Sequence, residues 1–237
     1  MISGKKILAI IPARGGSKGL KNKNIKLLCG KPLIEWTIQK GKLSKYLDNI
    51  VVTTDNLDIA NISKNCGAEV PFMRPKNLAR DDSSTFDAVM HALSHYKDKN
   101  ISFDYIVLLE PTSPLREDED IDKMLEKLHK NKNDYDSIIS IGEVGEHPSI
   151  IKKIVNENLQ PFEPNIKQTL RRQDNIPSYF PYGVAYIAKT RNLVSEKSFY
   201  TKRCTYFELK RYQNYEIDDI YDFLCVENVM KFEWRIK

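Results

Sequence analysis

The residues best equipped for chemistry stand near the start of the chain, in the stretch "AIIPARGGSKGLKNKN" from Ala9 to Asn24. An apolar run stops at Pro12. Arg14, Gly15, Gly16, Ser17, Lys18 and Gly19 follow, with Lys23 and Asn24 close behind. Glycine allows turns and close backbone approaches that other residues resist. Exposed amides in such a loop cradle phosphate oxygens, and Arg14, Lys18 and Lys23 add fixed positive charge. The chemistry on offer is the holding of a small polyanion. The loop matches neither the P-loop spacing G-x-x-x-x-G-K-[ST] nor the dinucleotide spacing G-x-G-x-x-G. Taken alone, a solvated basic turn has the same composition.

A second chemical group lies near the other end, in "EIDDIYDF" from Glu216 to Phe223. At a strand end, residues two apart share a face. Glu216 and Asp218 would then form a magnesium site of few carboxylates, completed by water and phosphate oxygens. The competing reading is a helix start, with Asp218 or Asp219 as cap and Asp222 in the first turn. Between the two groups lie "RPKNLARDDSST", Arg74 to Thr85, and "LLEPTSPLR", Leu108 to Arg116. Asp82, Ser83 and Ser84 are cap residues for a following helix. Pro111 and Pro114 stiffen a turn that offers the Thr112 and Ser113 hydroxyls. Arg116 is open between an ion-pair role and a ligand contact.

These groups need a scaffold, and the chain between them supplies a repeating one. Strands are expected at Lys6 to Ile11, Asn49 to Thr54, Ala68 to Phe72, Tyr105 to Leu109, Ser137 to Ile141, Gly183 to Lys189 and Thr205 to Leu209. Helices are expected at Pro32 to Lys42, Leu57 to Cys66, Thr85 to Tyr96, Asp118 to Lys130 and Asp219 to Phe232. Alternation of strand and helix argues for a mostly parallel α/β sheet covered on both faces. The rhythm breaks over residues 143–182, which read as an inserted segment between two parts of one domain, 1–142 and 183–237. In an open parallel sheet, ligands sit beyond the carboxyl ends of the strands. The "PARGGSKG", "TTD" and "EPTSP" stretches all follow strand-like runs, so they belong on one edge.

Composition removes several function classes. The net charge of +5 is mild for 237 residues, and the lysines form no stripe with aromatics, which argues against nucleic-acid binding. No apolar run approaches the ~20 residues that span a bilayer. The short polar start and the early Pro12 do not read as a secretory signal, so a cytoplasmic location is expected. The four cysteines are widely spaced, which suits free thiols better than disulfides or zinc. His91 and His95 have helical spacing but no partner ligand nearby, and read as ordinary helix surface.

Together, "IPARGGSKGLKNKN", "RPKNLARDDSST", "LLEPTSPLR" and "EIDDIYDF" occur in an order that resembles the cytidylyltransferases that activate nine-carbon acidic sugars, the CMP-sialic, CMP-legionaminic and CMP-pseudaminic acid synthetases. The resembling segments run from about Ile7 to Phe223. The resemblance implies a Rossmann-like nucleotidyltransferase fold with a small dimerisation appendage. It implies a reaction of CTP with a nonulosonic acid, giving a CMP-sugar and pyrophosphate. It implies catalytic roles for Arg14 and Lys18, and nucleotide binding by Arg14, Gly15, Gly16, Ser17, Lys18, Lys23, Asn24, Arg74, Ser84 and Thr85. It implies sugar contacts from Glu110, Thr112, Ser113, Lys152, Arg172 and Tyr182, a Mg²⁺ held by Glu216 and Asp218, and a homodimer. The chain departs from the family at Glu110, where relatives often carry glutamine, and at Glu216, where they often carry aspartate. Two rivals stay open: another sugar nucleotidyltransferase of this fold, such as a CMP-Kdo type, and a non-catalytic nucleotide-binding module.

Overall fold

In a computed structural model, residues 2–164 and 175–236 are described. Six strands form the central sheet, in the order β10-β6-β9-β5-β1-β4. They are β1 (Ile7–Pro12), β4 (Asn49–Thr53), β5 (Tyr105–Leu108), β6 (Ser137–Glu143), β9 (Tyr179–Lys189) and β10 (Cys204–Glu208). β4, β1 and β5 are parallel neighbours, as are β6 and β10, whereas β9 lies antiparallel between β5 and β6. Two small antiparallel pairs stand outside the sheet: β2 (Leu27–Leu28) with β3 (Lys31–Pro32), and β7 (Lys152–Val155) with β8 (Asn158–Pro161).

The pleat of β1 explains the layering. Successive side chains point to opposite faces of a sheet. Ile7, Ala9 and Ile11 join a core with Ile34 and Ile38 of α1 (Leu33–Leu43), Ile59 of α2 (Leu57–Asn65) and Met124, Leu125 and Leu128 of α4 (Asp120–Lys130). Leu8 and Ile10 join a second core on the other face. It is built with Val89, Ala92 and Tyr96 of α3 (Thr85–Lys97) and Leu193 of α5 (Thr190–Glu196). All five of these β1 side chains are fully buried. At about 1.5–3 kcal/mol for each large aliphatic, the strand that carries the basic loop is firmly anchored. A third cluster packs α6 (Ile220–Glu233) against Leu20, Leu28, Trp36 and Leu115.

The structure adjusts several expectations. The strand expected at Ala68 to Phe72 reduces to a one-residue bridge between Val51 and Glu69, since Pro71 has no amide to continue a ladder. The segment expected to be irregular contains the β7–β8 hairpin, and β9 begins at Tyr179, so the strand runs through the expected end of the insert at 182. Residues 214–218 carry no strand; instead Asp219 caps α6, accepting from the amides of Tyr221 and Asp222. His91 and His95 are not open surface but half-buried against Phe72, with ring centroids 4.7 and 5.0 Å away. Burial lowers the His91 pKa, with Arg74 acting in the same direction.

Candidate active site

A cleft of about 480 Å³ opens beyond the carboxyl ends of β1, β4 and β5, within the usual range for a small-molecule site. Its lining includes Arg14, Ser17, Lys18, Lys23, Asn24, Arg74, Ser84, Thr85, Glu110, Thr112 and Asp218. Most of the expected site residues, drawn from widely separated parts of the chain, therefore line one cleft.

Each is positioned by an identifiable contact. The loop leaves β1 at Pro12 and is tied at once to its parallel neighbour, the Ala13 amide donating to the Thr53 carbonyl at 3.0 Å. The Gly15 amide donates to Asp55 Oδ1 at 2.9 Å. Asn24 is buried, and its amide nitrogen donates to the Arg14 carbonyl at 3.0 Å. Gly19 is required by a close approach: a Cβ there would lie 2.3 Å from the Asp218 carbonyl oxygen. Lys23 Nζ closes the same junction, donating to the Ile217 carbonyl at 2.7 Å and to Asp218 Oδ1 at 3.1 Å. The basic loop and the acidic segment thus hold each other.

Arg74 is buried beside β4, donating from Nε to Thr53 Oγ1 at 3.2 Å and from Nη2 to the Thr53 carbonyl. Burial pushes its pKa down to about 10, opposed by Asp55, so it stays charged at neutral pH. Ser84 is the N-cap of α3, its Oγ accepting from the Asp87 amide at 3.0 Å. It caps the helix and lines the cleft together. Arg14 Nη1 and Lys18 Nζ each reach Asp81, at 2.7 Å to Oδ1 and 2.7 Å to Oδ2. Both cations draw the Asp81 carboxyl below its usual range.

Across the cleft, Glu110 follows β5. Its Oε2 would stand 2.5 Å from a Cβ on Gly183, so only glycine on β9 leaves it room. Burial and then the neighbouring Glu216 push Glu110 up to about 7, against the pull of Arg116. Arg116 itself is wholly buried. It donates to the carbonyls of Val184 (2.5 Å), Gly183 (3.0 Å) and Glu110 (3.3 Å) and to Thr37 Oγ1 (3.1 Å). It is a backbone clamp rather than a ligand contact.

Other expected residues stand elsewhere. Gly15 spends its amide on Asp55, and Gly16 lines only a shallow outer extension beside Arg80 and Asp81. Ser113 is fully buried, its hydroxyl donating to Glu216 Oε1 at 3.0 Å. The same Oε1 accepts from the Gly183 amide at 2.6 Å. Glu216 is therefore turned toward β9, whereas Asp218 is open to solvent and reaches Lys23. The two carboxylates do not share one strand face. Tyr182 lies outside the cleft lining, its ring against Phe180 at 5.2 Å. Lys152 begins the exposed β7 strand. Arg172 lies outside the described residues. Sequence reasoning missed Asp55, Arg80 and Asp81; the acidic pair within "LARDDSST" was the available signal for the last.

A divalent cation is compatible with this donor set. Asp218 offers an open carboxylate at the cleft, and Glu216 has one oxygen committed to Ser113 and Gly183. No group of three or more His, Cys, Asp or Glu suited to a metal occurs among the described residues.

The sequence profile of the Cytidylyltransferase family matches residues 8–233. The chain is 36% identical over 229 residues to the CMP-N,N'-diacetyllegionaminic acid synthase of Legionella pneumophila, covering 95% of this chain and 97% of that one. It is 33% identical over 218 residues to the N-acylneuraminate cytidylyltransferase of Escherichia coli, covering 92% of this chain but 50% of that one. The chain thus spans about half the length of the latter relative. Among solved structures, CMP:2-keto-3-deoxy-manno-octonic acid synthetase in complex with CTP superposes with a TM-score of 0.70. It is 17% identical and covers 96% of this chain and 99% of that one, a likeness of fold. The nucleotidyltransferase-like sheet, the cleft at its carboxyl edge and the profile match across nearly the whole chain agree: this chain belongs to the cytidylyltransferase family.

Proposed function

We propose that the protein transfers CMP from CTP to a nine-carbon acidic sugar of the sialic, legionaminic or pseudaminic acid type, releasing pyrophosphate. The observation that carries this is the convergence of Arg14, Lys18, Lys23 and Arg74 on one cleft at the carboxyl edge of the sheet. The anomeric hydroxyl of the sugar attacks the α-phosphorus. A new oxygen–phosphorus bond forms, the hydroxyl proton is released, and the bond to the β-phosphate oxygen breaks with its electron pair leaving on pyrophosphate. Charge builds on the leaving group, so preorganised cations lower the barrier. Arg14 and Lys18 hold the phosphates, and Lys23, Asn24, Arg74, Ser84 and Thr85 orient the nucleotide. Glu110 and Thr112 face the acceptor. Asp218, with the remaining oxygen of Glu216, would hold Mg²⁺, which when bound neutralises phosphate charge. The use of CTP accords with a cytoplasmic location, and among the described residues no helix is long and apolar enough to cross a membrane.

The same reading includes a homodimer. The β7–β8 hairpin and its surroundings expose Ile154, Leu159, Phe162 and Ile176, each by more than half. Apolar side chains grouped in this way favour cover by another protein surface. A second copy of the chain is the proposed cover, and light scattering of the purified protein tests it.

The deciding assay offers the protein CTP, Mg²⁺ and a panel of nonulosonic acids, with pyrophosphate release as readout. Release with one acid, lost in Lys18→Ala and Asp218→Ala, supports the assignment and names the acceptor. Absence of release with every acid, despite CTP binding, overturns it.

A further inference from the structure

Asp81 stands where a phosphate would be expected. Its two carboxylate oxygens are divided between two cations, Oδ1 on Arg14 and Oδ2 on Lys18, each at 2.7 Å. A phosphoryl group presents two oxygens to two cations in the same manner. Asp81, Arg14 and Lys18 all line the cleft. Among the described residues the carboxylate has no further side-chain partner. Its turn is held locally, the Arg80 amide donating to Ser83 Oγ at 3.0 Å and Ser83 Oγ to the Asn77 carbonyl at 3.1 Å. The side chain is nearly half exposed, so it has room to leave.

We infer that Asp81 is an internal anion that a triphosphate displaces on entry and that re-engages Arg14 and Lys18 as pyrophosphate departs. This role rests on the cleft being a nucleoside triphosphate site. Two anions cannot share the same pair of cations without repulsion. Nucleotide binding is therefore an exchange, and apparent affinity falls by the fraction of molecules in which Asp81 occupies the cations. The exchange also serves turnover. Pyrophosphate gripped by an arginine and a lysine leaves slowly, and a tethered competitor at high local concentration speeds its departure.

The test is calorimetric binding of CTP, and inhibition by inorganic pyrophosphate, in the wild type, Asp81→Asn and Asp82→Asn. Asp82 removes the same charge from the same turn but lies outside the cleft lining. Asp81→Asn releases two exposed ion pairs and should bind CTP about 2- to 30-fold more tightly. Pyrophosphate inhibition should tighten by a similar factor, and turnover should fall while KM for CTP falls with it. Asp82→Asn should match the wild type. A structural role for Asp81 predicts the opposite sign, weaker CTP binding from misplaced Arg14 and Lys18. Unchanged or weaker binding in Asp81→Asn, or equal tightening in both variants, overturns the inference while leaving the cytidylyltransferase reading intact. Wild-type protein that fails to bind CTP overturns both.

Discussion

Replacing Glu110 by glutamine should stabilise the nucleotide-free protein, and only above acidic pH. The carboxyl is enclosed beside Gly183 and faces Glu216, and its pKa rises from the ordinary 4.5 to about 7. Between those values the folded chain holds a proton that the unfolded chain has released. Stability therefore falls as pH rises through this window, because the unfolded state binds fewer protons. At ~1.4 kcal/mol per pH unit the full cost is about 3 kcal/mol, absent below pH ~4.5 and complete above pH ~7. Glutamine keeps the shape and cannot ionise. It should raise the melting temperature at pH 8 by about 6–12 °C, at ~2–4 °C per kcal/mol for a chain of this size. At pH 4.5 the two proteins should melt together. Thermal unfolding followed by circular dichroism across pH 4.5 to 8 measures the difference. A gain of equal size at every pH, or destabilisation by glutamine at pH 8, refutes the reasoning.

Two further outcomes follow from the geometry around this cleft. Gly19→Ala places a Cβ 2.3 Å from the Asp218 carbonyl, backbone that has little freedom to yield. Pulling the basic loop off the acidic segment should cost about 10²-fold in pyrophosphate release, and near wild-type kinetics would show that the junction is not needed. Arg116→Met strips donors from the carbonyls of Val184, Gly183 and Glu110 and from Thr37 Oγ1. The Gly183 and Glu110 carbonyls keep the amides of Glu110 and Ser113, so two acceptors are orphaned, and at ~1 kcal/mol or more for each, chemical denaturation should report a loss of about 2 kcal/mol or more.

What the sequence disclosed depended on whether a feature needed long-range geometry. β1 was legible because an unbroken apolar run ending at proline has few other readings. That the cations from Arg14 to Lys23 gather at the carboxyl edge of the sheet was legible because they directly follow β1. The β7–β8 hairpin was not, since its eight strand residues are all exposed and no alternation toward a core marks them. Direction was harder still. Thr112 and Ser113 are adjacent and chemically alike, yet Thr112 lines the cleft while Ser113 is buried on Glu216. The placement of Glu216 depends on β9 returning antiparallel between β5 and β6, which brings the Gly183 amide to its carboxylate. Nothing local announces such a return.

Asp55 and Asp81 belong to the same lesson, and they change how the cleft is understood. The sequence presents a loop of positive charge. The fold supplies that loop with internal anions. Arg14 and Lys18 meet Asp81, Lys23 meets Asp218, and Asp55 takes the Gly15 amide while supporting the charge on Arg74. Such a cleft does not need a bulk anion to be stable when empty. Its cations are held in place by these partners, which shortens the reorganisation needed when phosphates arrive. The cost appears in affinity, because each incoming phosphate displaces a carboxylate rather than loosely held counterions. For the proposed cytidylyl transfer, in which pyrophosphate leaves after every turnover, weak binding of the free cleft and strong charge stabilisation in the transition state are compatible demands. Catalysis rises only with interactions that strengthen between the two.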